Sequence, residues 1–215
     1  MRLDVNESIT YKGHLIEVVQ DEHPLHPRED FDNLTEFHYM GIGHYVLGDR
    51  KHAHNSRKCM EDMLAEARKQ GDMIFQLFAY IHGGIVLSLE SFMGKLPQGH
   101  AEFDSGQCGF VIVRKKEMLD NFGGKKWTKK LKERAYEIAL NDVDIFNKYM
   151  RGEVYGYEID DEDSGYGYYS TEDAVAEAKS IIDYNIKRAR IEHNAQLKKW
   201  IKDRVPLQYR TSCLV

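Results

Sequence analysis

His82, Asp104, Ser105 and Cys108 are the residue types that could do covalent chemistry together in this chain. A histidine oriented by a carboxylate, with a hydroxyl or thiol in reach, has the ingredients of nucleophilic catalysis. The four converge only if the apolar runs that carry them pair as strands. Their surroundings are neither a nucleophile elbow nor a papain-like cysteine signature. Gly83, Gly84 and Gly106 suit tight turns, and Cys108 on an apolar strand reads as inert core. No residue is assigned a catalytic role on this pattern.

Ten histidines raise the question of a metal. His52 and His54 alternate, which on a strand turns both imidazoles to one face, but no acid or cysteine stands at ligand spacing. Asp21, Glu22, His23 and His26 could gather a divalent cation, although a solvated acidic loop explains them more simply. Asp160-Asp161-Glu162-Asp163 lacks the alternation of a calcium loop, and its twelfth position is Thr171 instead of Glu. Neither a metal nor another cofactor is expected.

Charge is sorted along the chain. Arg114 to Arg134 holds nine Lys or Arg against three acids, whereas Gly152 to Ala178 holds nine acids and no base. Glu17 to Glu36 is again acidic, and Lys179 to Arg210 again basic. Helix faces of opposite sign that pair within the fold would account for this. The sharper reading is a pair of patches that steer a charged macromolecule. Lys125, Lys126, Lys129 and Lys130 flank Trp127 and could grip phosphates, with the indole as a stacking platform. Asp160, Asp161, Glu162 and Asp163 could instead imitate a phosphate backbone. These eight residues are the candidate partner-binding set, for a host protein or nucleoprotein complex or directly for nucleic acid.

The elements that carry these residues follow from periodicity. Met73 to Leu89 and Gly106 to Val113 are rich in Ile, Val, Phe and Leu, are bounded by Gly and Pro, and read as buried strands of the core sheet. Ile9 to Val19 suggests a hairpin around Lys12-Gly13. The proline- and charge-rich stretch from Gln20 to Phe37 reads as a loop, pinned by Phe31, Leu34 and Phe37. Asn55 or Ser56 caps a helix to Lys69, ended by Gly71, with Met60, Met63, Leu64 and Ala67 on one face. Thr128 caps a second helix to about Met150, whose line runs through Leu131, Ala135, Ile138, Asp142 and Ile145. A hairpin turns around Asp160 to Gly165. Ser170 and Asp173 resemble a capping box opening the longest helix, Thr171 to about Lys202, with an apolar stripe extending to Leu197 and Trp200. The fold expected is a single α+β domain over residues 1–215, a mainly antiparallel central sheet packed by about three helices, with a frayed tail from Pro206.

The 215 residues suffice for one sizeable core, and a formal net charge of -5 excludes a globally basic nucleic-acid binder. Cys59, Cys108 and Cys213 are odd in number and lack metal-ligand spacing, so free thiols in a reducing cytoplasm are expected. The N-terminus has no secretory apolar core and no 18-residue apolar run exists, so no membrane association is expected.

Several pieces together resemble a group of small bacteriophage and mobile-element proteins. They are Pro27-Arg28-Glu29 to Asp32-Asn33-Leu34, Leu47-Gly48-Asp49, His82-Gly83-Gly84-Ile85, Asp104-Ser105-Gly106-Gln107-Cys108-Gly109-Phe110 and Gly152-Glu153-Val154-Tyr155-Gly156-Tyr157. Phe103 stands where that family often has Trp, and Gly165-Tyr166 where it often has Cys-Trp. The resemblance implies phage origin and supplies no activity. By analogy with phage accessory genes of this size, it implies a protein that binds and inhibits a host defence complex of CRISPR or restriction type. Charge sorting without a coherent catalytic set makes the expected function non-enzymatic binding in the host cytoplasm. The alternatives are a metal- or His/Asp-dependent hydrolase or nuclease, and a direct nucleic-acid binder.

Overall fold

The computed structural model describes residues 7–40, 45–52, 57–96, 99–206 and 209. In chain order the elements are β1 (Ser8–Tyr11), β2 (His14–Gln20), β3 (Thr35–Met40), β4 (Arg50–His52), α1 (Arg57–Gln70), β5 (Met73–Ile81), β6 (Ile85–Ser88), α2 (His100–Asp104), β7 (Ser105–Val113), α3 (Lys115–Asn121), α4 (Lys129–Met150), β8 (Tyr155–Ile159), β9 (Asp163–Tyr168) and α5 (Thr171–Arg204). The α+β class is as expected. In place of one central sheet with about three helices there are two sheets and five helices among the described residues, and the chain divides into two compact units.

One unit joins Met1–Glu22 to Val154–Val215. Its sheet has the order β1-β2-β8-β9 and is antiparallel throughout. Lys12 and Gly13 take left-handed backbone at φ 51° and 91°, which matches a two-residue hairpin turn to the strand twist. Asp160 and Asp161 repeat the device at φ 51° and 58°, closed by the Glu162 N–H on the Ile159 carbonyl at 2.9 Å. Ser170 caps α5: its Oγ accepts the Asp173 N–H at 3.1 Å and donates to the Asp173 carboxylate at 2.6 Å. The first turns of α5 bury Ala174, Ala178 and Ile182 against Ile16, Tyr157 and Ile159. Every residue from 183 to 200 is then exposed, Leu197 and Trp200 of the expected stripe included, and burial returns at Ile201, 8% exposed.

The other unit is His23–Glu153. Its sheet has the order β4-β3-β7-β5-β6, antiparallel except for β3 with β4. Because side chains alternate along a strand, β7 feeds two cores. Val111 and Val113 face Ala135, Ala139, Val143 and Phe146 of α4, whereas Ile112 faces Met60, Leu64 and Ala67 of α1. A Cβ at Gly109 would come 2.1 Å from the His38 carbonyl oxygen, so only glycine lets β3 lie this close to β7. Thr128 caps α4 by accepting the Leu131 N–H at 3.3 Å. The expected cap of α1, Asn55 or Ser56, lies outside the described residues, as does the tail after Pro206 apart from Tyr209.

Two expectations for the proline-rich stretch change. Thr35 to Met40 is strand β3, where Phe37 is fully buried; Leu34 packs on the same core as expected, whereas Phe31 is 52% exposed. Arg28 also holds the loop. Its guanidinium donates to both oxygens of Asp49, to the Thr35 hydroxyl and to the Thr35 carbonyl, and lies 4.1 Å from the Phe37 ring centre.

Candidate functional site

The basic stretch after β7 forms an open hollow of about 570 Å³ between α3 and the first turns of α4. Phe122, Gly124 and Leu131 supply its apolar wall, and Lys125, Lys126, Lys130 and Arg134 stand around it. The glycine pair Gly123-Gly124 brings the chain sharply out of α3, with Gly123 at φ 63°. Arg134 is paired with Glu137 at 3.1 Å and Lys129 with Glu133 at 3.7 Å. Among the described residues no carboxylate reaches the exposed Lys125, Lys126 or Lys130. Lys129 does not line the hollow. Trp127 is half-buried and packs on the main core of this unit, so it is not the stacking platform expected of it. The exposed ring is Phe122, at 47%.

The four acids of the β8–β9 turn have different tasks. Asp160 accepts the Leu15 N–H at 2.8 Å and pairs with His14 at 2.6 Å. The Leu15 amide first, then His14, holds its carboxyl below the usual range. Asp161, Glu162 and Asp163 line a small polar hollow of about 200 Å³ with Glu158 and Ser164. Asp160 is thus tied into the hairpin.

The His82 region assembles in part. Tyr80 of β5 lies opposite Ser105 of β7, so the chain just beyond, His82 and Asp104, runs side by side. His82 Nδ1 is 3.0 Å from Asp104 Oδ2. Cys108 is turned away: it is 1% exposed, its thiol donates to the Leu77 carbonyl, and burial pushes that thiol up to about 12. Ser105 donates its hydroxyl to the Ala101 carbonyl at 2.5 Å. Neither is a nucleophile activated by His82. The side chain that joins the pair is His100, whose ring centre is 5.0 Å from that of His82. The signal that could have revealed it is its spacing of four from Asp104, which places both on one face of a helical turn. A five-residue helix behind Pro97 and Gly99 gives no periodicity by which to see that turn.

His26, His38 and His52 serve structure. His26 packs against Tyr149 at 4.9 Å and accepts the Arg28 N–H, and so belongs to the Arg28 loop. His52 stacks on buried His38, with Nε2 3.0 Å from His38 Nδ1. His38 in turn meets Glu36, which Arg114 ties to Asp72. His54 lies outside the described residues. Among those residues no helix is long and apolar enough to cross a membrane.

Comparison with protein-family models, with curated proteins and with solved structures returns no match. Pro27-Arg28-Glu29 and Leu47-Gly48-Asp49 meet in the Arg28–Asp49 pair.

Proposed function

We propose that this protein is a non-enzymatic accessory protein of phage type that docks on a host defence complex, CRISPR or restriction, through the lysine-rimmed hollow of α3 and α4. The observation that carries the reading is the pairing of an apolar wall, Phe122 and Leu131, with three cations that have no carboxylate partner among the described residues. Such a hollow suits an acidic protein segment that inserts one apolar side chain, since the anchor supplies burial and the rim supplies orientation and attraction. Nucleic acid suits it less. A strand-binding groove needs successive exposed rings on which bases stack, and of the two rings here only Phe122 is exposed while Trp127 packs on the core. The acidic residues Asp161, Glu162 and Asp163 form a second charged surface, on the other unit. The target class, a defence complex, rests on the motif resemblance.

The test is phage plating on strains that each carry one defence system. Expression of the chain should restore plating against at least one system, and Lys125→Glu with Lys126→Glu and Lys130→Glu should remove that protection. No restored plating in any strain would refute the defence target; protection by the triple variant equal to that of the native chain would refute the hollow.

A hydrolase reading has one observation in its favour, the meeting of His82 and Asp104. Inert Cys108 and Ser105 remove the nucleophilic version of it, leaving only a metal-assisted one.

A further inference from the structure

We infer that His82, His100 and Asp104 form a binding site for a divalent transition metal of the zinc class, with at least one coordination position open. Among the described residues these three side chains gather so that one ligand atom from each lies within 4.8 Å of the others. A solvated His–Asp ion pair needs only two of them and explains nothing about the third. The fold converges all three from two directions. His82 leaves the end of β5, while His100 and Asp104 open and close the single turn of α2, four residues apart on one face.

The geometry is close to what a metal requires. Zinc bonds to histidine and carboxylate run about 2.0–2.2 Å, so tetrahedral ligand atoms sit roughly 3.3 Å apart. The His82–Asp104 contact is already 3.0 Å. Closing the third ligand takes on the order of 1 Å of side-chain rotation, which surface rotamers allow. A metal ion would replace the direct His82–Asp104 contact, with one atom of each as its ligand. Outer contacts favour one arrangement. The Tyr80 ring stacks on His82 at 6.0 Å, and the Tyr80 hydroxyl lies 3.5 Å from His100 Nδ1, where it can hold that imidazole.

The donor set selects the metal. Two imidazoles and one carboxylate suit zinc and its first-row neighbours, whereas calcium and magnesium take oxygen shells. Three protein ligands leave a place for water or for a ligand from solution, as in sites that act on substrates and unlike closed structural sites. His82 keeps 59% of its side chain exposed, so that place opens to solvent. The site is at the opposite end of the β5–β7 pair from the start of α3, and it does not depend on the lysine hollow.

The test uses the full chain without a histidine tag, titrated with zinc ion by calorimetry and with cobalt ion by visible absorption. One equivalent of metal should bind, and cobalt should show the strong visible bands of a four-coordinate site. His100→Ala and Asp104→Ala should each weaken binding about 100-fold or more, and Tyr80→Phe about tenfold. Zinc should raise the melting temperature of the native chain and leave that of His100→Ala unchanged. The Lys125, Lys126 and Lys130 reversals should bind zinc as the native chain does. Failure of the native chain to take up one equivalent at micromolar zinc would overturn the inference, as would undiminished binding by His100→Ala and Asp104→Ala variants that melt like the metal-free native chain.

Discussion

The guanidinium of Arg28 grips the carboxylate of Asp49 with two hydrogen bonds, Nε to Oδ1 at 3.0 Å and Nη2 to Oδ2 at 2.6 Å. Arg28 is 8% exposed, and the same Asp49 carboxylate also accepts the Phe37 N–H at 2.7 Å. One ion pair thus ties the 23–34 loop, the residues before β4 and strand β3 together. Among the described residues Asp49→Ala leaves the buried guanidinium only the Asp142 carboxylate, at 3.5 Å, and unpairs the Phe37 N–H. Removing one partner of a buried pair costs far more than the pair itself contributes, so the variant should lower unfolding free energy by about 3 kcal/mol. A urea denaturation curve that shifts by less than about 1 kcal/mol would mean that Asp142 or water replaces the lost carboxylate.

Glu36 gives the fold an acid-sensitive joint. Its bond to His38, then its two bonds to Arg114, lower its carboxyl from the ordinary 4.5 to about 2. A depressed acid stabilises the folded state at pH values above its unfolded pKa, and that contribution is lost as pH falls through the folded value. The window is therefore about pH 4.5 down to about 2, and the full loss is on the order of 2 kcal/mol after allowance for partial solvent exposure. Thermal melts across this window should fall more steeply for the native chain than for Glu36→Gln. Parallel curves would contradict the assignment.

The β8–β9 turn separates structural acid from free acid. Asp160→Ala releases the Leu15 amide and His14 and should lower the melting temperature, whereas Glu162→Ala should leave it unchanged. Equal melting temperatures for the two variants would show that Asp160 is as free as its neighbours. A charge-reversal experiment on this surface should accordingly change Asp161, Glu162 and Asp163 and spare Asp160.

The elements with local signatures were legible in the sequence. Lys12-Gly13 marks its hairpin, Thr128 and Ser170 mark their helices, and the apolar runs after Met73 and Gly106 mark the strands at the middle of the larger sheet. Strand β3 was hidden because Pro24, Pro27 and the charges around them dominate its approach. Two of its own six side chains, Glu36 and His38, are polar partners of Arg114 and His52. The outer half of α5 misled in the opposite way. Leu197 and Trp200 keep helical spacing, but spacing does not report whether another surface covers them, and they are 45% and 50% exposed. For the sites, the lysine cluster was visible as charge, but its apolar wall was not, because Phe122 and Leu131 belong to different helices' approaches. Asp160 looked equal to its neighbours until the register of β2 with β8 brought Leu15 beside it. Cys108 read as inert core from its apolar strand, and it is buried there, whereas the Ser105 hydroxyl is taken by the Ala101 carbonyl of a helix too short to show in the sequence.

The most direct measurement is capture from host lysate on the immobilised native chain and on the Lys125→Glu, Lys126→Glu, Lys130→Glu variant, quantified by mass spectrometry at low and high salt. The binding reading predicts subunits of one defence complex enriched by the native chain, at least about tenfold less by the variant, and less by the native chain as salt rises. Capture of the same complex in equal amount by both proteins, or enrichment of no defence protein by either, would contradict it.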